Sequence, residues 1–258
     1  MKIKLFSFTL ILLLAFSPLT SCRKAPAVET LSTTDSDGET EPSVILSPTE
    51  DFGQEYLDSF IFFGESTTYH LKSRGVLSGG TETTQVWGPD SGTVLLDRSI
   101  RTLKLRYPET DELLTLSEAL QRKKPDYLLL CFGLNGAVQK LKQGKEAYQS
   151  CYRLLTDTVK AESPDTKIIL QSCFPVAANM DMSRYSITLD ELNAAIRTIN
   201  EWTLSLAETE GFRYLNTAEI LSDEAGRLRM EYQSGDGHHL TREAYQKILH
   251  YIRTHGYT

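Results

Sequence analysis

Phe60-Ile61-Phe62-Phe63 is the most constraining stretch of this sequence. Four large apolar residues stand in a row, Gly64 breaks the run, and Glu65 and Ser66 follow at once. So short an apolar run closed by glycine reads as a buried strand. Strands buried on both faces belong to parallel sheets covered by helices on either side. Thr67 to Lys72 then opens a helix. Ser66 has two readings: a hydroxyl that caps that helix, or a reactive group at the carboxyl end of a parallel strand, where open α/β sheets bind ligands.

The rest of the chain repeats the pattern. Thr84–Trp87, Tyr127–Phe132, Lys167–Leu170 and Phe212–Leu215 read as further strands. Between them, Thr115 with Glu118 and Thr188 with Glu191 are capping-box starts of helices. Lys145–Glu162 carries Tyr148, Tyr152, Leu155 and Val159 on one face, as an amphipathic helix does. Thr241 caps a last helix. Thr93–Leu96 and Thr102–Tyr107 alternate as strands do and predict an inserted hairpin. Strands alternating with helices argue for a parallel sheet between two helical layers.

The N-terminus has a different character. Lys2 and Lys4 precede an apolar segment, Leu5 to Phe16, too short to span a bilayer in the usual way. Leu19-Thr20-Ser21-Cys22 resembles a bacterial lipobox, which implies a leader over residues 1–22 and a lipid on Cys22. Residues 23–50 are rich in Ser, Thr, Glu, Asp and Pro and predict a disordered tether. The folded domain is expected over 51–258, on the outer face of a bacterial membrane. With a net charge of −7 and no basic run, a nucleic-acid partner is not expected.

Chemistry concentrates in three loops: Ser66 after the first strand, Asn135 in Gly133-Leu134-Asn135 after the central one, and Asp236-Gly237-His238-His239-Leu240 before the last helix. A serine hydroxyl needs a base to become a nucleophile. Histidine titrates near neutrality, and a carboxylate behind its ring fixes the tautomer. Asp236 lies three residues before His239, so one loop can join them.

These three stretches resemble the SGNH hydrolases, also called GDSL esterases. The resemblance runs from about Ser59 to the C-terminus. It implies a flavodoxin-like three-layer α/β/α sandwich and hydrolysis of esters, often acyl groups on carbohydrates or lipids. It makes Ser66 the nucleophile, His239 rather than His238 the base, and Asp236 the orienting acid. The Ser66 amide and Asn135 become oxyanion donors, with Gly88 or Gly92 completing the hole. The sequence departs from the family in two places, where it has Glu65 and Gly136 for the usual aspartates. An acetylated carbohydrate is the expected substrate, with a longer acyl chain, or a binding protein that has lost activity, as alternatives.

No cofactor is implied. Cys131, Cys151 and Cys173 lack metal-ligand spacing, and Cys131 and Cys173 read as small buried residues. No third ligand stands beside the His238-His239 pair, so no metal site is expected. His70, His250 and His255 read as surface residues.

Overall fold

A computed structural model describes residues 43–258. The leader, Cys22 and the tether as far as residue 42 lie outside the described residues. In chain order the elements are α1 (Gly53–Asp58), β1 (Phe60–Gly64), α2 (Ser66–Ser73), β2 (Val86–Trp87), β3 (Leu105–Tyr107), β4 (Glu112–Leu114), α3 (Leu116–Arg122) and β5 (Tyr127–Cys131). There follow α4 (Ala137–Gln143), α5 (Lys145–Glu162), β6 (Lys167–Gln171), α6 (Leu189–Glu210), β7 (Arg213–Leu215), α7 (Ala218–Leu221) and α8 (Arg242–Arg253).

The main sheet has five parallel strands in the order β2-β1-β5-β6-β7. The central strands are apolar at nearly every position because both faces are covered. On one face Ile61, Phe63, Leu128, Leu130, Ile168 and Leu170 pack with residues of α5 and α6. On the other, Phe60, Phe62, Leu129, Cys131 and Ile169 pack with residues of α8. The chain turns first to one side of β1 and later to the other, so the sheet's switch point falls between β1 and β5. Ligands of such sheets bind beyond the strand ends at this point. Gly64 pairs with Cys131 at the ends of these two strands, and Ser66 and Asn135 lie just past them.

Three expectations need correction. The hairpin forms, but from β3 and β4, with Leu105 opposite Leu114. Thr93–Leu96 has the alternation of a strand, with Val94 and Leu96 buried and Leu95 exposed, yet it runs as an irregular strap. Its polar contacts go to side chains instead of a partner strand: the Lys140 ammonium donates to the Leu96 carbonyl at 3.0 Å. Finally, Ser43–Glu50, grouped with the tether by its composition, belongs to the folded domain, and Val44–Leu46 lies on the edge of the sheet. The Tyr214 N–H donates to the Val44 carbonyl and the Leu46 N–H to the Tyr214 carbonyl, each at 2.9 Å, and Leu46 is buried. All three described cysteines are free thiols, with Cys131 and Cys173 buried.

Gly64 is required by space. A Cβ there would collide with Thr68 Oγ1 and stand 2.5 Å from the Cys131 carbonyl oxygen. Gly64→Ala must therefore push α2 away from β5. We expect it to lower stability by about 1–3 kcal/mol in urea unfolding, as overpacked sites do. An unchanged midpoint would show that the approach is not so close.

Candidate active site

Ser66 is the first residue of α2. Glu65 occupies the cap position with extended backbone, and no side chain caps the helix, so Ser66 is not the cap. Its hydroxyl is free to face the loop before α8, where the His239 Nε2 lies 3.1 Å from Ser66 Oγ. The Ser66 amide begins a helix and has no acceptor within it.

The loop holding His239 is fixed by local bonds. Asp236 Oδ2 lies 2.7 Å from His239 Nδ1. Asp236 Oδ1 accepts the backbone N–H groups of His238 at 3.1 Å and His239 at 2.9 Å. Burial would raise the Asp236 pKa, but the His239 amide and ring and the His238 amide outweigh it and hold the carboxyl well below the usual carboxylate range. Gly237 allows the tight turn. Its φ is +82°, and a Cβ would stand 2.6 Å from the Met180 nitrogen.

Asn135 lies beyond β5. Its side-chain amide donates to Thr93 Oγ1 at 3.0 Å and to the Val94 carbonyl at 3.1 Å, so the strap holds both of its hydrogens. Gly88 follows β2 and its carbonyl accepts the Arg106 N–H. The Gly92 N–H is committed to the Pro89 carbonyl at 2.9 Å.

The sequence profile of the GDSL-like lipase/acylhydrolase family matches residues 62–247, a span that includes all of these loops. The chain belongs to that family. It is a serine ester hydrolase by descent, and its fold agrees with solved structures at low identity. A G-D-S-L family protein from Desulfitobacterium hafniense shares 15% identity with a TM-score of 0.51, over 75% of this chain and 97% of the other. A candidate platelet activating factor from Streptococcus pneumonia shares 17% with a TM-score of 0.51, over 74% of this chain and 83% of the other. No curated protein matches the sequence.

Glu65 stands where the family usually has aspartate, and it does structural work that its position alone did not suggest. It is buried, with Oε1 accepting the Gly133 N–H and Oε2 the Asn135 N–H, both at 2.9 Å. It thereby joins the start of the Ser66 helix to the Asn135 loop. Burial pushes its pKa up to about 7, against the pull of the Asn135 and Gly133 amides. His70, read as a surface residue, is instead half-buried, its ring centroid 4.4 Å from that of His239. Burial, with the neighbouring His239, lowers its pKa to about 4, so it stays neutral. Its helical position was visible in the sequence, but the loop it meets was not. His255 is also buried, stacked on Tyr251 at 3.6 Å.

Glu65→Gln tests the bridge. A glutamine offers one acceptor where two amides need partners, and its NH2 faces the other N–H. We expect kcat at pH 8 to fall about tenfold or more. The stabilities should diverge with pH in a defined sense. Between the unfolded value near 4.5 and about 7 the folded protein binds the extra proton, so wild type loses stability relative to Glu65→Gln as pH rises and levels off above 7. The full difference is on the order of 3 kcal/mol. Parallel melting curves from pH 5 to 8 would contradict this assignment.

Proposed function

We propose that the protein hydrolyses acyl esters through Ser66, His239 and Asp236. The observation that carries this reading is the unbroken run of contacts from Ser66 Oγ to His239 Nε2 and from His239 Nδ1 to Asp236 Oδ2, at 3.1 and 2.7 Å. His239 Nε2 takes the Ser66 proton as Oγ attacks the ester carbonyl. Asp236 stabilises the imidazolium that forms, and the same proton passes to the leaving alcohol. Water repeats the cycle on the acyl-enzyme.

The tetrahedral oxyanion needs donors. The Ser66 amide is one. Asn135 is the second, once its side chain exchanges the Thr93 contact for the oxyanion. Gly88 is the third in this proposal, since it directly ends the strand beside β1 and the Gly92 N–H already has its acceptor.

The substrate proposed is an acetylated carbohydrate outside the cell, reached by a protein tethered through lipid on Cys22. The lipobox-like sequence and the family's habit support this. A specific observation supports the longer-chain alternative. A cavity of about 330 Å³ adjoins Asn135 and Asp236, with Leu134, Val138, Met180 and Leu192 in its wall. That is more space than an acetyl methyl fills, although Asp181, Arg184 and His238 also face it. If the cavity takes the acyl chain, each buried methylene adds about 0.8 kcal/mol, a rise of roughly fourfold in kcat/KM.

A fluorophosphonate probe and paired acetyl and octanoyl esters test the reading together. Wild type should be labelled and should hydrolyse at least one ester. Ser66→Ala should do neither while melting at the same temperature. Labelling of the mutant would remove Ser66 from the mechanism, and the ratio of the two esters assigns the cavity. Separately, Asn135→Ala should cost about 10²–10³ in kcat, as loss of one oxyanion donor does elsewhere. A loss confined to KM would place Asn135 in binding alone.

A further inference from the structure

We propose that Asp236, His238 and His239 form an inhibitory site for a divalent transition-metal ion of the zinc class. The sequence showed two adjacent histidines without a third ligand. The fold supplies one, because the turn at Gly237 brings Asp236 back against both rings. One ligand atom from each of the three residues lies within 4.8 Å of the others. His238 Nδ1 is 3.4 Å from Asp236 Oδ1, and His239 Nδ1 is 2.7 Å from Asp236 Oδ2.

These separations suit zinc. Four ligands at about 2.0–2.1 Å in a tetrahedron stand about 3.4 Å apart. His238 Nδ1 already stands that far from Asp236 Oδ1, whereas His239 Nδ1 faces the other oxygen, Oδ2, and needs to open from it by roughly 0.6–0.7 Å; one ion serves both rings with the carboxylate turned or bound through both oxygens. The backbone of the loop is held in place: the Ala177 N–H donates to the Gly237 carbonyl at 2.7 Å and the Ser234 N–H to the His239 carbonyl at 2.8 Å. The side chains of Asp236, His238 and His239 are 45%, 31% and 21% exposed, so an ion reaches them from solvent and water can fill the fourth position. Two imidazoles with one carboxylate select zinc, copper or nickel over magnesium and calcium, which prefer oxygen.

The consequence for catalysis follows from the imidazole. A neutral ring carries one N–H. In the proposed relay it sits on Nδ1, facing Asp236, and the Nε2 lone pair receives the Ser66 proton. A metal on Nδ1 needs a lone pair there, so the Nδ1 proton moves through solvent to Nε2 and occupies its lone pair, with no proton gained or lost. The ring then presents a donor to Ser66 Oγ and cannot act as its base. Asp236 exchanges its ring contact for a bond to the metal.

Inhibition rests on the proposed relay, whereas binding does not, and the experiment separates them. Zinc chloride is titrated into wild type, Ser66→Ala, His238→Ala and His238→Asn. Ester hydrolysis is followed where it occurs, and heat of binding in every case. We expect zinc at micromolar concentration to stop wild-type hydrolysis, EDTA to restore it, and magnesium and calcium to have no such effect. Relative to each protein's own metal-free rate, both His238 variants should need at least about tenfold more zinc for half-inhibition. Ser66→Ala should still bind one zinc ion although it hydrolyses nothing. If wild type neither hydrolyses nor takes the fluorophosphonate, the relay fails while zinc binding to Ser66→Ala still upholds the site. Absence of zinc binding to Ser66→Ala overturns the proposal. So does equal zinc sensitivity of wild type and both His238 variants, which would place the metal elsewhere, for example on the half-buried Cys151 thiol.

Discussion

A single buried carboxylate joins the two halves of the site across the sheet's switch point. Strands β1 and β5 are held together by parallel pairing as far as Gly64 and Cys131, and beyond that the chains part into different loops. Glu65 bridges them, with one oxygen on the Gly133 amide and the other on the Asn135 amide. Its position directly before Ser66 means that Ser66 and the Asn135 loop are located by the same residue. Burial disfavours the charge, yet the ionised form is the one that accepts both amides fully. The bridge thus works against global stability while ordering the site, a trade common where function needs a polar group in a dry place. The network extends from there. Lys140, buried close enough to Glu65 to favour its ionised form, holds the Leu96 carbonyl, and Asn135 holds Thr93 and Val94. The strap from Thr93 to Leu96 is therefore anchored to the same loop that Glu65 anchors.

What the sequence showed plainly was whatever is encoded locally. The central strands announce themselves because both faces are buried, and Phe60–Phe63 and Tyr127–Cys131 pair in register as continuous apolar runs do. The contact between Asp236 and His239 was legible because one short loop joins them. The strap departs from the expected strand for a physical reason. Val94, Leu95 and Leu96 alternate in burial as a strand does, but alternation reports which side faces the core, not what satisfies the backbone. Here Asn135 and Lys140, some forty residues away, satisfy it. The second strand of the real hairpin, Glu112–Leu114, is short and follows Asp111 at φ +61°, a turn residue that no glycine marked. The surface reading of His70 fails for the same kind of reason: helical spacing places it on α2, and only the tertiary fold lays it against His239.

The separation of Ser66 from His239 is set by elements other than the residues themselves. Asp236 and His239 are mutually fixed within four residues, since both carboxylate oxygens are filled from the same loop. Ser66 is fixed by β1 and Glu65. What remains free is the offset between these two rigid pieces, and that belongs to the packing of α8 against α2. Two contacts control it. The buried Tyr245 hydroxyl donates to the Thr67 carbonyl at 2.7 Å, one residue after Ser66. Arg242, in the first turn of α8, donates to the Arg74 carbonyl at the end of α2. Both ends of α2 are thus tied to the helix that follows the histidine loop. Donor and acceptor of a hydrogen bond stand within about 2.5–3.2 Å, so a separation of 3.1 Å between residues 173 apart in sequence has little slack and depends on such ties. The last helix carries neither Ser66 nor His239, yet by these two bonds it ties the helix that begins at the serine to the loop that holds the histidine.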